Sequence, residues 1–404
     1  MLLDLAWTGG FPGRILGPRG AVLLVLSFLV WAIFQLEKSR LGPKLFKFLP
    51  ALVWVYFLPM LATTLGVLPK ASPVYKDFQL YLLPGALLLL LVTADLRSVK
   101  DLGLPAVLMF FAGSLGIFLG ALASLTLLGP ILPPGAWRGF GALAGSWIGG
   151  SANMVGLQAV FETPPDLFGQ MVVVDTVVGY TWIGILIASA SRQKKIDRWL
   201  GAERRLLEET RERVEGLELG GKRSMDLPSA AGIAFLGLGV APLCMGLGSL
   251  MPEIQGRVNH FAWGILFISI LGVLLSFTPA RKLKEGGGDQ VGYAGIYLML
   301  AGVGAQADLS SILGAPALVL AGVVWISIHA LVLLAAARLL RAPLFFLAVG
   351  STANIGGPAS APLVATVYRP DLAPVGLILA VLGNTVGYYL GYLTGAACRL
   401  AAGG

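Results

Sequence analysis

The segment "GGSANMVG", residues 149–156, interrupts an apolar stretch of the chain with three glycines, a serine and an asparagine. Nearly the same letters return two hundred residues later as "STANIGGP", residues 351–358. Glycine, serine and asparagine favour turns over a continuous helix. Within a membrane, such unwound backbone is stable only where protein, water or a ligand surrounds it. These two segments therefore locate both the unusual elements of the fold and the candidate site.

The composition gives the class of protein. Apolar residues make up 56% of the chain and charged residues 12%, and apolar runs of 18 or more residues recur along it. This pattern predicts an all-α, polytopic membrane protein. The net charge of +8 lies in short clusters between the apolar runs, as in cytoplasmic loops, which argues against nucleic acid as a partner.

Hydropathy over a window of about 19 residues predicts two sets of six elements. The first set has helices near 20–36, 46–68, 77–94 and 102–128, a broken element at 139–163, and a helix at 167–191. The second has helices near 227–250, 260–278, 290–306 and 313–338, a broken element at 343–367, and a helix at 372–397. The polar stretch 192–226 joins them, and its pattern predicts an amphipathic cytoplasmic connector, which we expect to rest on the membrane surface.

Four sequence echoes relate the two sets in the same order. They are "TADLRS" at 93–98 with "QADLSS" at 306–311, "SAN" at 151–153 with "TAN" at 352–354, "PDL" at 165–167 with "PDL" at 370–372, and "DTVVGY" at 175–180 with "NTVGY" at 384–388. The chain is therefore predicted to be an internal duplication, with residues 1–191 and 227–404 as its repeats. Each repeat would have an unwound segment at the same place, as secondary transporters do.

The topology depends on whether the broken elements cross the membrane. Full crossing gives twelve spans and parallel repeats, whereas re-entrant hairpins give ten spans, two hairpins and inverted repeats. The distribution of Lys and Arg does not distinguish the two. We favour inverted repeats, because that arrangement brings both broken tips together at the midplane from opposite sides.

The paired "GGSAN" and "GSTANIGGP" segments, the "ADL" helix ends, and "DTVVGY" with "NTVGY" resemble the uncharacterised YjcL-like membrane proteins of bacteria and plastids. That family is grouped with the cation:proton antiporter and anion transporter superfamily, which includes sodium symporters of citrate, glutamate and bile-acid type. The resemblance implies an inverted-repeat, dimeric, elevator-type carrier in the bacterial cytoplasmic (inner) membrane. Scaffold helices would lie at about 20–94 and 227–306, and core helices at about 102–191 and 313–397.

Asp175 is the one carboxylate well inside an apolar helix, where a charge is costly unless it is paired or hydrated. Its repeat mate is Asn384, and Thr176 and Thr385 follow them. The resemblance implies an essential Asp at this place, so these four residues are predicted to hold the coupling ion, with Na⁺ near Asp175, Asn153 and Asn384. Superfamily exchangers often have a second polar or acidic residue beside the Asp, whereas Val174 stands here. A purely structural Asp175, bonded to helix backbone or to Asn153, is the alternative.

The broken elements are predicted to bind the substrate. Their amides and hydroxyls offer oxygen ligands and N–H donors, and their glycines allow close approach of the backbone. The candidates are Ser151, Asn153, Gly156, Thr352, Asn354, Gly357 and Ser360. No catalytic motif is present in the sequence, so an enzyme is not expected, nor a cofactor other than Na⁺ or H⁺.

Together these features predict cation-coupled symport of a small organic anion or polar solute. The alternatives are a monovalent cation/proton antiporter and a non-transporting receptor or scaffold.

Overall fold

A computed structural model describes residues 11–46, 51–215, 224–254, 258–307 and 315–403. The described residues form helices joined by turns, with one isolated bridge between Ile254 and Val258. Within these ranges, seven helices are long and apolar enough to cross a membrane. The prediction of an all-α polytopic membrane protein is confirmed. Asp308 of the "QADLSS" echo and residues 313–314 of the predicted helix 313–338 lie outside the described ranges.

The helices follow the predicted order closely. They are α1 (Phe11–Lys38), α2 (Ala51–Thr64), α3 (Pro73–Val92), α4 (Leu104–Leu128), α5 (Ala136–Gly149), α6 (Ser151–Val160), α7 (Pro165–Leu200), α8 (Arg205–Val214), α9 (Leu227–Ser249), α10 (His260–Ser276), α11 (Gly288–Gln306), α12 (Ala315–Leu339), α13 (Leu344–Ile355), α14 (Gly357–Tyr368) and α15 (Ala373–Ala401). Both elements predicted to be broken are pairs of short helices: α5 with α6, and α13 with α14.

The two breaks occupy different places in the repeated sequence, so the prediction of equivalent unwound segments is wrong in this detail. The first break is at Gly150, before the asparagine of its repeat, and the second is at Gly356 and Gly357, after the asparagine of its repeat. Gly150 has φ +87°, ψ 175°, which a residue with a Cβ rarely adopts. Its sequence mate is Ser351, which stays helical. The second break instead uses Gly357 at φ +61°, followed by Pro358 at the start of α14.

In the first pair, α5 and α6 fold back on each other. The Arg138 guanidinium at the start of α5 donates to the carbonyls of Phe161 and Glu162, just after α6, at 3.1 and 3.0 Å. The Thr163 hydroxyl donates to the Arg138 carbonyl at 3.1 Å. The two arms are therefore antiparallel, and residues 136–160 are called the first hairpin.

The second pair, α13 and α14, also folds back on itself. Both of its ends contact the connector and therefore lie on the same side of the molecule. The backbone N–H of Leu344 at the start of α13 donates to Asp197 Oδ1 at 2.7 Å. After α14, Arg369 lies 3.3 Å from Glu208 Oε1. Residues 344–368 are called the second hairpin.

α15 runs between the bases of the two hairpins. It starts five residues after the second hairpin ends, and near its other end the Arg399 guanidinium lies 5.2 Å from the Trp137 ring in the first hairpin. A helix of 29 residues is about 42 Å long, so the bases lie at opposite ends of the molecule.

The remaining helices form two groups. α4 and α12 pack against each other and against the hairpins, and α4 also packs against α15. The other group consists of α1, α2, α3, α9, α10 and α11, in which α11 contacts α2 and α3 and α10 contacts α3 and α9. We call the group with α4 and α12 the core group and the other the scaffold group; a moving core and a fixed scaffold stay predictions.

The connector contains the end of α7 and all of α8. Leu200, Leu207 and Val214 are buried against protein, whereas Trp199 is exposed. Arg369 binds Asp371 at 2.9 Å as well as Glu208, and the bond with Asp371 raises the pKa of the Arg369 guanidinium. The described part of the connector is thereby fixed to the base of the second hairpin.

Candidate functional site

The tips of both hairpins meet the middle of α15. A Cβ added at Gly383 would lie 2.8 Å from the Ile148 carbonyl oxygen of the first hairpin and 3.2 Å from the Ala353 oxygen of the second. One turn further, Gly387 lies so close to Gly149 that an added Cβ would be 2.5 Å from its Cα. Both positions require glycine because backbone packs directly against backbone. The predicted convergence of the broken tips is present.

The two paired asparagines make matching bonds. The Asn153 amide donates to the carbonyl of Gly149, four residues earlier, at 3.1 Å, and to the Asn384 carbonyl at 3.0 Å. The Asn354 amide donates to the carbonyl of Gly350, also four residues earlier, at 2.9 Å. Each side-chain NH₂ thus binds a carbonyl of its own hairpin and one of a neighbouring helix.

For Asn354 that neighbour is α4. Its NH₂ donates to the Phe110 carbonyl at 3.0 Å, and its Oδ1 accepts from the Ser114 hydroxyl at 2.8 Å. The Asn354 side chain is fully buried. Its hydrogen bonds are therefore all made within the protein, and Asn354 fastens the second hairpin to α4.

Asp175 lies at the start of a π-helical turn within α7, Asp175–Gly179. Such turns are frequent at functional sites because they displace side chains from the regular helical path. Asp175 Oδ1 accepts from the Trp147 indole N–H at 2.8 Å, and Oδ2 accepts from the Ser146 hydroxyl at 3.2 Å. Both donors belong to the first arm of the first hairpin, just before its break.

The carboxylate of Asp175 has neutral partners only. It is 9% exposed, and no Lys or Arg of the described ranges forms an ion pair with it. An isolated charge in such a place is unstable unless a counter-charge or water is supplied. The arrangement suits a carboxylate whose counter-charge is a bound cation or proton.

Three predicted hydroxyl ligands are engaged with their own helices. The hydroxyls of Thr176, Thr352 and Thr385 donate to the carbonyls four residues earlier, at 2.8, 2.7 and 3.1 Å. Each remains able to accept a bond, but none points its hydroxyl hydrogen toward the hairpin breaks.

Asn384 lies beside the first break and reaches the scaffold group of helices. Its Oδ1 is 3.2 Å from the place that a Cβ on Gly150 would occupy, and its Nδ2 donates to the Tyr293 hydroxyl of α11 at 3.3 Å. The Asn153 amide donates to the Asn384 backbone carbonyl, so the two asparagines are neighbours, whereas a Na⁺ site beside them stays a prediction. Within the described residues, no hydrogen bond joins either of them to Asp175.

The other predicted substrate residues differ in position. Ser151 is half-buried at the first position of α6, and Ser360 lies one turn into α14 beside Gly356. Gly357 forms the second break, with no atom within 4 Å of an added Cβ. Gly156 instead lies in the middle of α6, against Leu87 of α3, so it contributes to helix packing and not to a break.

A buried chain of hydrogen bonds was missed from the sequence. His329 Nδ1 lies 2.9 Å from the Gly113 carbonyl, so this nitrogen carries a proton, and Nε2 accepts from the Ser351 hydroxyl at 2.8 Å. Ser351 in turn accepts from the Trp182 indole at 2.8 Å. The chain joins α4, α12, the second hairpin and α7. Its members lie on four separate segments of the chain, so no spacing in the sequence signals it.

Comparison with known proteins gives the family. A family model described as "Protein of unknown function (DUF819)" matches residues 20–400, which covers both hairpins, Asp175 and all of the site. The chain belongs to the DUF819 family. It is also 29% identical over 352 residues to the "Uncharacterized membrane protein YjcL" of Bacillus subtilis, covering 83% of this chain and 86% of that protein. With seven candidate spans among its described residues, this member of the family is a multi-pass integral membrane protein.

Proposed function

We propose that the protein is a secondary transporter that couples a monovalent cation to the symport of a small organic anion or polar solute. The observation that carries the proposal is Asp175. It is a buried carboxylate with neutral partners, in a π turn, bonded to a hairpin whose tip meets that of a second hairpin. In secondary transporters, discontinuous helices of this kind meet near the midplane and form the ion and substrate sites.

The positions of the hairpins support inverted repeats. The base of the first hairpin lies near the end of α15 and the base of the second lies near its beginning. Two hairpins that enter from opposite ends give ten spans and place their tips back to back. The resemblance to the cation:proton antiporter and anion transporter superfamily agrees with this topology.

Alternating access would come from movement of one helix group against the other. The core consists of the hairpins with α4, α7, α12 and α15, and the scaffold consists of α1–α3 and α9–α11. The Asn384–Tyr293 bond crosses this boundary. Elevator-type motion of the core would break and remake such contacts, and it requires no unwinding of the hairpins. A homodimer formed through the scaffold is part of this proposal.

The residues have distinct roles in this mechanism. The cation, H⁺ or Na⁺, neutralises Asp175, and Ser146 and Trp147 hold the carboxylate in position. The polar solute binds at the first break, where Ser151 and the exposed side of Asn384 lie beside the free N–H groups at the start of α6. The Asn153 amide keeps that break open by occupying the Gly149 carbonyl.

The proposal is tested with Asp175→Asn in purified protein. An amide accepts the Trp147 N–H as the carboxylate does, so the variant is expected to fold. Thermal stability of the wild type should change with Na⁺ or pH, and that change should be lost in Asp175→Asn. Equal responses of the two proteins would remove Asp175 from coupling. A protein that moves no solute in proteoliposomes under any ion gradient would instead be a receptor or scaffold.

A monovalent cation/proton antiporter is the second candidate. The hydrogen bonds of Asn153 and Asn354 favour this candidate. The side-chain NH₂ group of each already donates to two backbone carbonyls, so it offers few donors to an organic anion. An antiporter should move protons when Na⁺ is added with no organic solute present. A symporter should not.

A further inference from the structure

We propose that the ends of α7 and α12 together bind an anionic phospholipid, with its headgroup on α7 and an acyl chain along α12. The site lies at the connector, where α12 ends and the second hairpin begins. It is separate from Asp175 and from both hairpin breaks, and its occupation needs no step of transport.

One face of the last two turns of α7 is cationic. Residues 192–200 contain four Lys or Arg residues and one carboxylate. At about 100° per residue, Lys194, Lys195, Arg198 and Trp199 fall within roughly 140° of the helix circumference. All four side chains are exposed. These four residues are called the basic face.

The carboxylate of this segment lies on the opposite face. Asp197 accepts from the Leu344 N–H at 2.7 Å and so faces the second hairpin, and Leu200 is buried on the same side. Glu203, which follows the segment, lies 3.5 Å from the Arg341 guanidinium. Both carboxylates are thus bound away from the basic face, and its positive charge favours an anionic ligand.

Trp199 marks the level of the membrane surface. Its side chain is 58% exposed, and the Arg338 Cζ lies 5.6 Å from the centre of its ring. The Arg338 guanidinium also donates to the Trp199 carbonyl. Arg338 is the first charged residue of α12, after 23 residues without Lys, Arg, Asp or Glu. Exposed Trp and Arg side chains at the end of an apolar helix lie among lipid headgroups. The basic face therefore lies at headgroup level.

An exposed apolar face of α12 runs from this level into the membrane. Leu320 and Leu331 are 48% and 65% exposed, and at about 100° per residue they share one side of the helix with Arg338. Leu339, beside Arg338, is 83% exposed. Residues 320–338 span about 27 Å, whereas one leaflet of the hydrocarbon core is about 15 Å thick. The face is long enough for a whole acyl chain.

The test is native mass spectrometry of the purified, full-length protein in detergent, titrated with dioleoylphosphatidylglycerol or with dioleoylphosphatidylcholine. The two lipids have the same acyl chains, but only the first has a net negative charge. We expect the first phosphatidylglycerol to bind at least about tenfold more tightly than the first phosphatidylcholine, because each Lys or Arg near an anionic headgroup strengthens binding about fivefold. sn-Glycerol 1-phosphate, which has a phosphate but no acyl chain, should not displace the lipid.

Two variants separate the charge of the site from its apolar part. Lys194→Gln, Lys195→Gln and Arg198→Gln, combined, should abolish the preference and leave phosphatidylcholine binding unchanged. These side chains are exposed, so the variant should fold, and an unchanged melting temperature without lipid checks this. Trp199→Ala should weaken the binding of both lipids by the same factor, since the ring contributes apolar area and no net charge.

The matched control is Lys100→Gln, Lys282→Gln and Lys284→Gln, combined. It removes three exposed cations outside the basic face and the same amount of charge. This variant should keep the tenfold preference. Equal binding of the two lipids by the wild type, an equal loss of preference in both triple variants, or displacement by glycerol phosphate would overturn the site. Because no ion gradient is used, none of these results depends on whether the protein transports anything.

Discussion

Trp147 is the residue whose single hydrogen bond most directly affects Asp175. Trp147→Phe keeps a ring against Trp325, whose centroid is 4.8 Å away, but removes the N–H that binds the carboxylate. A hydrogen bond to a charged group is worth roughly 1.5–3 kcal/mol. We expect a lower melting temperature at neutral pH and a changed dependence of that temperature on Na⁺ or pH.

Trp325→Phe is the matched control for that substitution. Its indole N–H donates to the uncharged Ile117 carbonyl at 2.7 Å, from a side chain that is equally buried. A neutral bond of this kind is worth roughly 0.5–1.5 kcal/mol. Trp325→Phe should lower the melting temperature without changing the ion dependence. If both variants behaved alike, the Trp147 bond would have no special connection with the cation.

Replacement of Gly150, the residue at the first break, is expected to lower the stability of the protein. Its backbone at φ +87°, ψ 175° is open essentially to glycine alone, so Gly150→Ala should destabilise the protein by about 1–3 kcal/mol. Gly184 in α7 has regular helical geometry and open space around it, so Gly184→Ala should be neutral or slightly stabilising. Thermal denaturation of both variants checks this. Equal melting temperatures would show that the break tolerates a side chain.

Among the elements, the second hairpin depends on the connector at its base. Asp197→Ala removes the acceptor for the Leu344 N–H, the first free N–H of α13. Loss of such a cap costs roughly 0.5–2 kcal/mol. Amide hydrogen exchange at residues 344–348 should become faster, while exchange in the first hairpin stays unchanged. Asp289→Ala is the control, since Asp289 lies at the start of α11 and, among the described residues, accepts from the neighbouring Gln290 N–H alone. Unchanged exchange in Asp197→Ala would show that the connector does not stabilise the hairpin.

At the scale of the whole molecule, elevator motion predicts that linking core to scaffold stops transport. A cysteine pair at Glu162 and Asn259, joined by a short bifunctional thiol reagent, bridges the two groups. Cys244→Ala and Cys398→Ala remove the native thiols. Uptake into proteoliposomes should cease on cross-linking and return if the linker is cleaved.

A cysteine pair at Ser189 and Tyr368 is the control, because their hydroxyls are 2.7 Å apart and both residues belong to the core. Cross-linking this second pair should leave uptake intact. Continued uptake with the first pair fully linked would contradict movement between the groups.

Much of this architecture is readable from the sequence, because membrane helices must be long and apolar and breaks must be polar and glycine-rich. The duplicated echoes identify both broken elements, and the isolated Asp175 stands out among apolar neighbours. The sequence echoes do not predict the different places of the breaks, because they align Gly150 with Ser351, which stays helical, and the second break forms at Gly356 and Gly357 instead.

The hydrogen-bond partners of the polar side chains could not be predicted from the sequence either. The bonds of Asp175 with Trp147 and of Ser351 with His329 join distant segments, and they depend on tertiary packing. Trp147 has the ordinary appearance of an apolar membrane residue in the sequence. Its polar function appears only when the first hairpin packs against α7.

The π turn at Asp175 also fixes the rotational register of α7. A π turn contains one residue more than an α-helical turn, so deletion of Val177 would restore the ordinary period and rotate the following helix by about 100°. Asp175 would keep its position, whereas Trp182 would turn away from Ser351 and Ser189 from Tyr368. One inserted residue thus allows a single helix to present Asp175 to the first hairpin and Trp182 to the second. A one-residue deletion here should uncouple the two hairpins from each other.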